Sequence, residues 1–270
     1  MQQPSSARDV TDPDPHAGQD MDARGGFAGA LAAVAGVEGW MTDAQAHVLW
    51  ERVAALEAPA TVVEIGSYRG RSAIVLAGAA ADGVAVVAID PHAGNDRGPQ
   101  QIHGSAGEGQ ADHEAFMANL ARAGVGERVR HVRRPSLEAL DAVDGPVDLL
   151  YVDGAHRYRP ARDDIERWGA RVRPGGTLLI HDSFSSVGVT LAIARLLLTG
   201  ERFRYQGRTG SLAEYRAAPA GGLRERARDA GRQLLELPWF VRNLAVKVAI
   251  VLRLRPLARL LGHRSGPWPY

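Results

Sequence analysis

The chain has 270 residues, 45% of them hydrophobic and 23% charged, with a formal net charge of +1 and no cysteine. That length holds one large domain with appendages, in an ordinary globular composition. The absence of cysteine excludes disulfides and thiolate metal sites, and the near-zero charge gives no whole-chain argument for a nucleic-acid partner.

Residues 1–30 read as a disordered leader rich in Pro, Asp, Ser and Gly, without the apolar core of a secretory signal. A reducing, cytoplasmic location is the expectation. Thr42 is placed to cap a helix carrying Leu49 and Trp50 on its apolar side. Thr61–Gly66 reads as a buried strand, Arg71–Ala80 as a helix and Val84–Asp90 as a second strand. A polar, Gly-rich loop runs from Pro91 to Gly104 and carries His92, Asp96, Arg97 and His103; loops of that length are commonly binding loops or lids. Helical spacing resumes over Asp112–Ala123, followed by strands at Arg128–Arg133, Val147–Val152 and Thr177–Ile180. Phe203–Tyr205 and Ser211–Tyr215, separated by glycines, read as a hairpin. Short apolar strands alternating with helices predict a doubly wound, mostly parallel α/β sheet over residues 31–218, closed by an antiparallel hairpin.

From residue 219 onward ten basic residues stand against three acids. This stretch, 219–270, reads as a basic amphipathic helical tail, with Trp239 and Phe240 near its start. It has no uninterrupted apolar run of the roughly 20 residues that a span needs, because Lys247 interrupts it. Two readings stand open: peripheral contact with an anionic membrane face, or packing on protein, including a second copy of the chain.

Two features carry chemistry. The turn Glu64-Ile-Gly-Ser-Tyr-Arg-Gly70 joins strand to helix, where glycine lets the backbone approach a ligand and a helix start offers free amides. Asp90, some twenty residues on, is placed to accept hydrogen bonds from ribose hydroxyls. Further along, two strand-like runs end in carboxylates: Asp153, followed three residues later by His156, and Asp182, which follows His181. Ligands bind beyond the carboxyl ends of the strands in an open α/β sheet. These groups suit proton abstraction or oxygen-rich metal binding.

Val63-Glu-Ile-Gly-Ser-Tyr-Arg-Gly-Arg-Ser72 resembles the first motif of class I S-adenosylmethionine-dependent methyltransferases. Its form is nearest the catechol and caffeoyl-CoA type and the bacterial sugar and antibiotic O-methyltransferases. The resemblance implies a Rossmann-like, seven-stranded sheet and S-adenosylmethionine as cofactor. Glu64, Gly66, Ser67, Tyr68, Gly70, Ser72, Asp90, His92, Ser136 and Asp153 would form the cofactor site, with Gly66, Tyr68 and Ser72 at the methionine end. Asp90 would hold the ribose, and Ser136 would lie on the adenine side. His156 falls where the family places the catalytic base, with Asp153 as its catalytic neighbour. Asp153 and Asp182 would hold Mg²⁺ or another divalent cation, although Ser183 stands where the catechol-type enzymes carry a better ligand. The acceptor would be a small hydroxylated molecule: a sugar, glycolipid or natural product. The same residues leave open a nicotinamide-dependent oxidoreductase, from which the Gly-Ser-Tyr-Arg-Gly order departs, and a non-catalytic, membrane-associated S-adenosylmethionine-binding protein.

Overall fold

The computed structural model describes residues 25–95, 103–218 and 221–263. The expected leader therefore lies largely outside the described residues, as do Asp96 and Arg97. Within its expected span, Gly26–Ala33 forms a helix, α1, that buries Ala30 in the core.

The centre is a seven-stranded sheet in the order β3-β2-β1-β4-β5-β7-β6. Its strands are β1 (Ala60–Ile65), β2 (Val84–Ile89), β3 (Val129–Val132), β4 (Val147–Val152), β5 (Val172–Ile180), β6 (Phe203–Thr209) and β7 (Leu212–Ala217). The first five run parallel, while β7 pairs antiparallel with both β5 and β6. Strand order reverses between β1 and β4, at the crevice where doubly wound sheets bind ligands. Valine, leucine and isoleucine dominate β1, β2 and β4 because both faces are covered. Val62 faces a core with Leu49, Trp50, Leu76 and Phe116, whereas Val63 faces the opposite core with Leu150, Trp168 and Ile193.

The first face is covered by α1, α2 (Asp43–Ala54), α3 (Arg71–Ala79) and α4 (Ala106–Arg122), and the second by α5 (Tyr158–Gly169) and α6 (Val187–Leu196). Thr42 does cap α2, in a reciprocal capping box with Gln45. Two boundaries differ from the sequence expectation. Helix α4 begins at Ala106 instead of Asp112, because Gly109 lets it press against the chain after β2: a Cβ there would stand 2.0 Å from the His92 carbonyl oxygen. Strand β5 begins at Val172 instead of Thr177. The register shift between Val147 and Leu149 absorbs Pro174 and Gly175 (φ +77°) as an irregularity inside the strand.

The C-terminal stretch forms α7 (Leu223–Leu234), α8 (Leu237–Val251) and α9 (Arg255–Leu260). The inward faces of α7 and α8 lie against the β5–β7 side of the sheet. Asp229 accepts the Tyr205 backbone N–H at 2.9 Å, and Gln233 accepts the Tyr215 hydroxyl at 3.2 Å and donates to the Leu197 carbonyl. Asn243, wholly buried, donates to the Phe184 carbonyl. Lys247 donates to the Ser185 carbonyl at 2.9 Å. The residue that broke the apolar run in sequence is thus an inward-reaching polar anchor. No described helix is long and apolar enough to cross a membrane.

Replacing Asp229 by Ala leaves the Tyr205 N–H without its partner, so urea unfolding should show a loss of about 1–3 kcal/mol. A loss below about 0.3 kcal/mol would mean that α7 does not stabilise the sheet edge.

Candidate active site

A cavity of about 260 Å³ opens at the carboxyl ends of β1, β2 and β4. Backbone hydrogen bonds carry the sheet's register into its wall: Gly66 N–H donates to the Ile89 carbonyl, Asp153 N–H to that of Ile65, and His181 N–H to that of Val152. At Gly66 (φ +85°) a Cβ would stand 2.3 Å from the Asp153 carbonyl oxygen, so only glycine lets the first loop cross the end of β4. Gly70 (φ +88°) starts α3 in the left-handed region, where a Cβ would approach the Phe116 ring.

Of the expected cofactor residues, Gly66, Ser67, Tyr68, Ser72, Asp90, His92, Ser136 and Asp153 line this cavity, and His156 joins them. Glu64, Gly70 and Asp182 stand behind the wall. Glu64 is fully buried and accepts the Ser72 hydroxyl; burial pushes its carboxyl up to about 8, so it is neutral at pH 7. One oxygen of Asp90 accepts the amides of Ser67 and Tyr68 at 2.9 and 2.8 Å, and the other accepts that of His92 at 2.7 Å. This acid therefore organises the first loop as well as presenting lone pairs at the end of β2. Ser136 donates to Asp164, whose carboxyl burial raises to about 6. Asp164 also lines the cavity, as do Glu38 and Trp40, with Trp40 5.5 Å from the Tyr68 ring. Sequence reasoning missed all three. Asp164 reads as an ordinary exposed helix acid, and nothing local to residues 38–40 signals a return to the sheet's end. A pocket with carboxylates, hydroxyls and an aromatic wall matches the ribose, amino-acid and base functions of a nucleoside-type cofactor.

The two strand-end carboxylates form an alternating cluster with two imidazoles. His156 Nε2 lies 2.9 Å from Asp182 Oδ2, His181 Nδ1 lies 3.0 Å from Asp153 Oδ1, and His181 Nδ1 is 3.9 Å from Asp182 Oδ1. The His181–Asp153 contact lies off the ideal hydrogen-bond direction and acts as an ion pair. The buried Tyr151 hydroxyl donates to Asp153 Oδ2 at 2.8 Å. Burial would push both rings down in pKa, but the carboxylates outweigh it. His156 is raised chiefly by Asp182, and His181 is raised to about 9 chiefly by Asp153. Burial would lift Asp182, yet His156, His181 and Lys247 hold it far below the usual carboxylate range.

His156 is fixed from both sides. Ser186 donates to its carbonyl at 3.1 Å, and Gly188 passes where a Cβ would be 2.2 Å from that same oxygen. Its ring stays one-third exposed toward the cavity. An imidazole backed by a carboxylate in this way can accept a proton from a group in the cavity. The expected divalent-cation site is poorly matched by this donor set. Asp182 lies outside the cavity wall against His156, Asp153 is occupied by Tyr151 and His181, and the Ser183 hydroxyl turns away to donate to the Ile180 carbonyl.

Residues 63–183 match a family described as a methyltransferase domain. Among solved structures, a cofactor-bound protein from MTB, Rv0187, aligns with TM-score 0.52 at 24% identity, covering 82% of this chain and all of that one. An O-methyltransferase from Bacillus cereus in complex with SAH aligns with TM-score 0.50 at 16% identity, covering 79% and 94%. At these identities the likeness is one of fold. A curated relative, uncharacterized protein y4gI of Sinorhizobium fredii, is 42% identical over 55 residues, 20% of this chain and 6% of that protein. The chain thus spans a small fraction of that relative's length.

Because folding raises the His181 pKa, its pairing contributes fully below the unfolded value of about 6.5. That contribution is lost as pH rises through about 9. Urea midpoints of the parent chain should therefore fall, relative to His181→Asn, between pH 6 and 10. Parallel curves would refute the coupling.

Proposed function

We propose that the chain is a class I S-adenosylmethionine-dependent methyltransferase, a reading supported by the methyltransferase-domain match over residues 63–183, and that it methylates a hydroxyl of a sugar, glycolipid or natural-product acceptor. The observation that carries this reading is the His156–Asp182 pair, with the imidazole in the cavity wall and the carboxylate behind it. The named O-methyltransferase of the same fold supports it. The family match also favours this reading over the nicotinamide alternative.

When bound, S-adenosylmethionine supplies an electrophilic methyl group on a sulfonium. Glu64, Gly66, Ser67, Tyr68, Gly70 and Ser72 would shape its amino-acid end. Asp90 and His92 would stand at the ribose, and Ser136, backed by Asp164, at the base. The residues' own work is to place an acceptor oxygen in line with that methyl and to remove its proton. In its neutral form, with Nε2–H donated to Asp182, the His156 ring takes the hydroxyl proton on its Nδ1 lone pair as the oxygen–carbon bond forms, and Asp182 stabilises the resulting imidazolium. Asp153, held by Tyr151 and His181, accepts a hydrogen bond from the acceptor. The charge bookkeeping closes without a metal, since proton transfer creates an imidazolium beside a carboxylate. Mg²⁺ assistance through Asp153 and Asp182 is the competing version. It would require Asp182 to leave His156.

The tail offers a second, separate proposal. Its outward face carries Leu235, Val241, Val248 and Val251, all well exposed, next to a basic stretch. That composition suits peripheral contact with an anionic bilayer or a second copy of the chain.

Calorimetry should show S-adenosylmethionine binding by the purified chain; no binding overturns the proposal. His156→Ala should lower kcat by about 10²–10⁴-fold with cofactor affinity retained. The kcat profile should rise with pH to a plateau, with a midpoint above the ordinary histidine value. Asp182→Asn should move that midpoint down, because the carboxylate is what raises it. Chelator-resistant turnover would support the metal-free route, whereas loss restored by Mg²⁺ would favour the competing one. Flotation with phosphatidylserine vesicles tests the tail: equal recovery with and without residues 219–270 excludes membrane contact.

A further inference from the structure

A second histidine cluster lies on the far side of the first loop, apart from the His156 pair. His92 follows β2, His113 sits on α4 and His131 on β3. Their ligand atoms all lie within 4.8 Å of one another, and the ring centroids are 5.3, 5.0 and 5.1 Å apart. One nitrogen of each ring is buried without a hydrogen-bond partner: Nδ1 of His92, Nδ1 of His113 and Nε2 of His131. Three buried nitrogens left unpaired at one point are costly unless something binds them.

We propose that His92, His113 and His131 form a binding site for a single borderline divalent transition ion, zinc by preference. One of the rings is already set for it. His92 uses Nε2 against the Tyr68 carbonyl at 2.7 Å, which as a donated N–H leaves the Nδ1 lone pair facing the cluster. In His131 it is Nε2 that is buried without a partner. A ring N–H donated to a backbone carbonyl is the outer-shell arrangement that fixes a metal-ligating histidine. Burial lowers both His113, helped by Arg133 and His92, and His131, helped by His92 and His113 and pushed to about 4, which favours the neutral form that a metal takes. Ligand nitrogens around one zinc stand roughly 3.3 Å apart, so rotations of about one ångström close the triad. Phe116, 4.6 Å from His131, backs the site with an apolar wall. Imidazole suits zinc, copper and nickel, and three histidines leave a fourth position for solvent.

Such an ion would tie the chain after β2 to α4 and β3, directly beside the cavity wall that His92 shares. This assignment is independent of the proposed methyl transfer.

The test uses the untagged full chain, stripped with chelator, desalted and titrated with Co²⁺ as the optical probe. One equivalent should bind with the intense visible absorption of a four-coordinate ion, and Zn²⁺ should displace it. His113→Ala and His131→Ala should each weaken binding by about tenfold or more, with far-UV circular dichroism unchanged. Asp182→Asn should bind as the parent does. Only a weak six-coordinate spectrum, unchanged affinity in both histidine variants, or loss in Asp182→Asn would overturn the assignment. If His131→Ala fails to fold, His113→Ala, on the less buried α4 position, decides alone.

Discussion

Two carboxylates and two imidazoles at the ends of β4 and β5 impose the constraint around which the rest of this structure is arranged. Asp182 is almost fully buried, and so is His181. A buried charge survives only beside its counter-charge. The alternation Asp153, His181, Asp182, His156 meets that demand, and it fixes where each element must end. β4 and β5 must finish in adjacent register to bring Asp153 and His181 within 3.0 Å. The loop after β5 must then turn sharply, which it does with Asp182 and Phe184 at φ +55° and +54°. The neutral carboxyl of Glu64 belongs to the same account, because a third full charge beneath Asp90 and Asp153 would have no counter-ion.

The tail contributes to this arrangement at a distance in sequence. Lys247 and Asn243 hold the carbonyls of Ser185 and Phe184, so the loop that presents Asp182 is bonded from behind by α8. Lys247 also adds to the field that keeps Asp182 ionised. At the hairpin, Ser183 N–H donates to the Ser211 carbonyl, closing the loop from its other side. The antiparallel pair β6–β7 therefore does more than finish the sheet. It fixes the loop that carries Asp182 through this backbone bond.

Most of the sheet was legible because buried parallel strands are short apolar runs, and β4 was read with both ends correct. Where glycine and proline sit inside an element, local signals mislead. β5 absorbs Pro174 and Gly175, and α4 extends through Gly107 and Gly109. The strand-end acids and His156 were readable from motif spacing. The partnership of His156 with Asp182 was not, since 26 residues separate them and only the β4–β5 register brings them together. His181 carries no motif of its own, because its role depends on facing two carboxylates at once. Asp164 and the 38–40 segment were invisible for the same reason: their function is a matter of which surface closes over the cavity. The histidine triad has no motif spacing, because its members lie on three separate elements.

The contact between Gly66 and the Asp153 carbonyl has a geometric corollary. The first loop and Asp153, proposed above to face cofactor and acceptor, are carried on two backbones in close approach, each locked into the sheet by its own hydrogen bonds. Their separation is thus a property of strand spacing and does not depend on any loop. On the proposed reading, the segments at residues 38–41 and 91–95, which line the cavity from outside the sheet, are where acceptor choice would be expressed. The scaffold behaves as a fixed optical bench on which only the sample holder is exchanged.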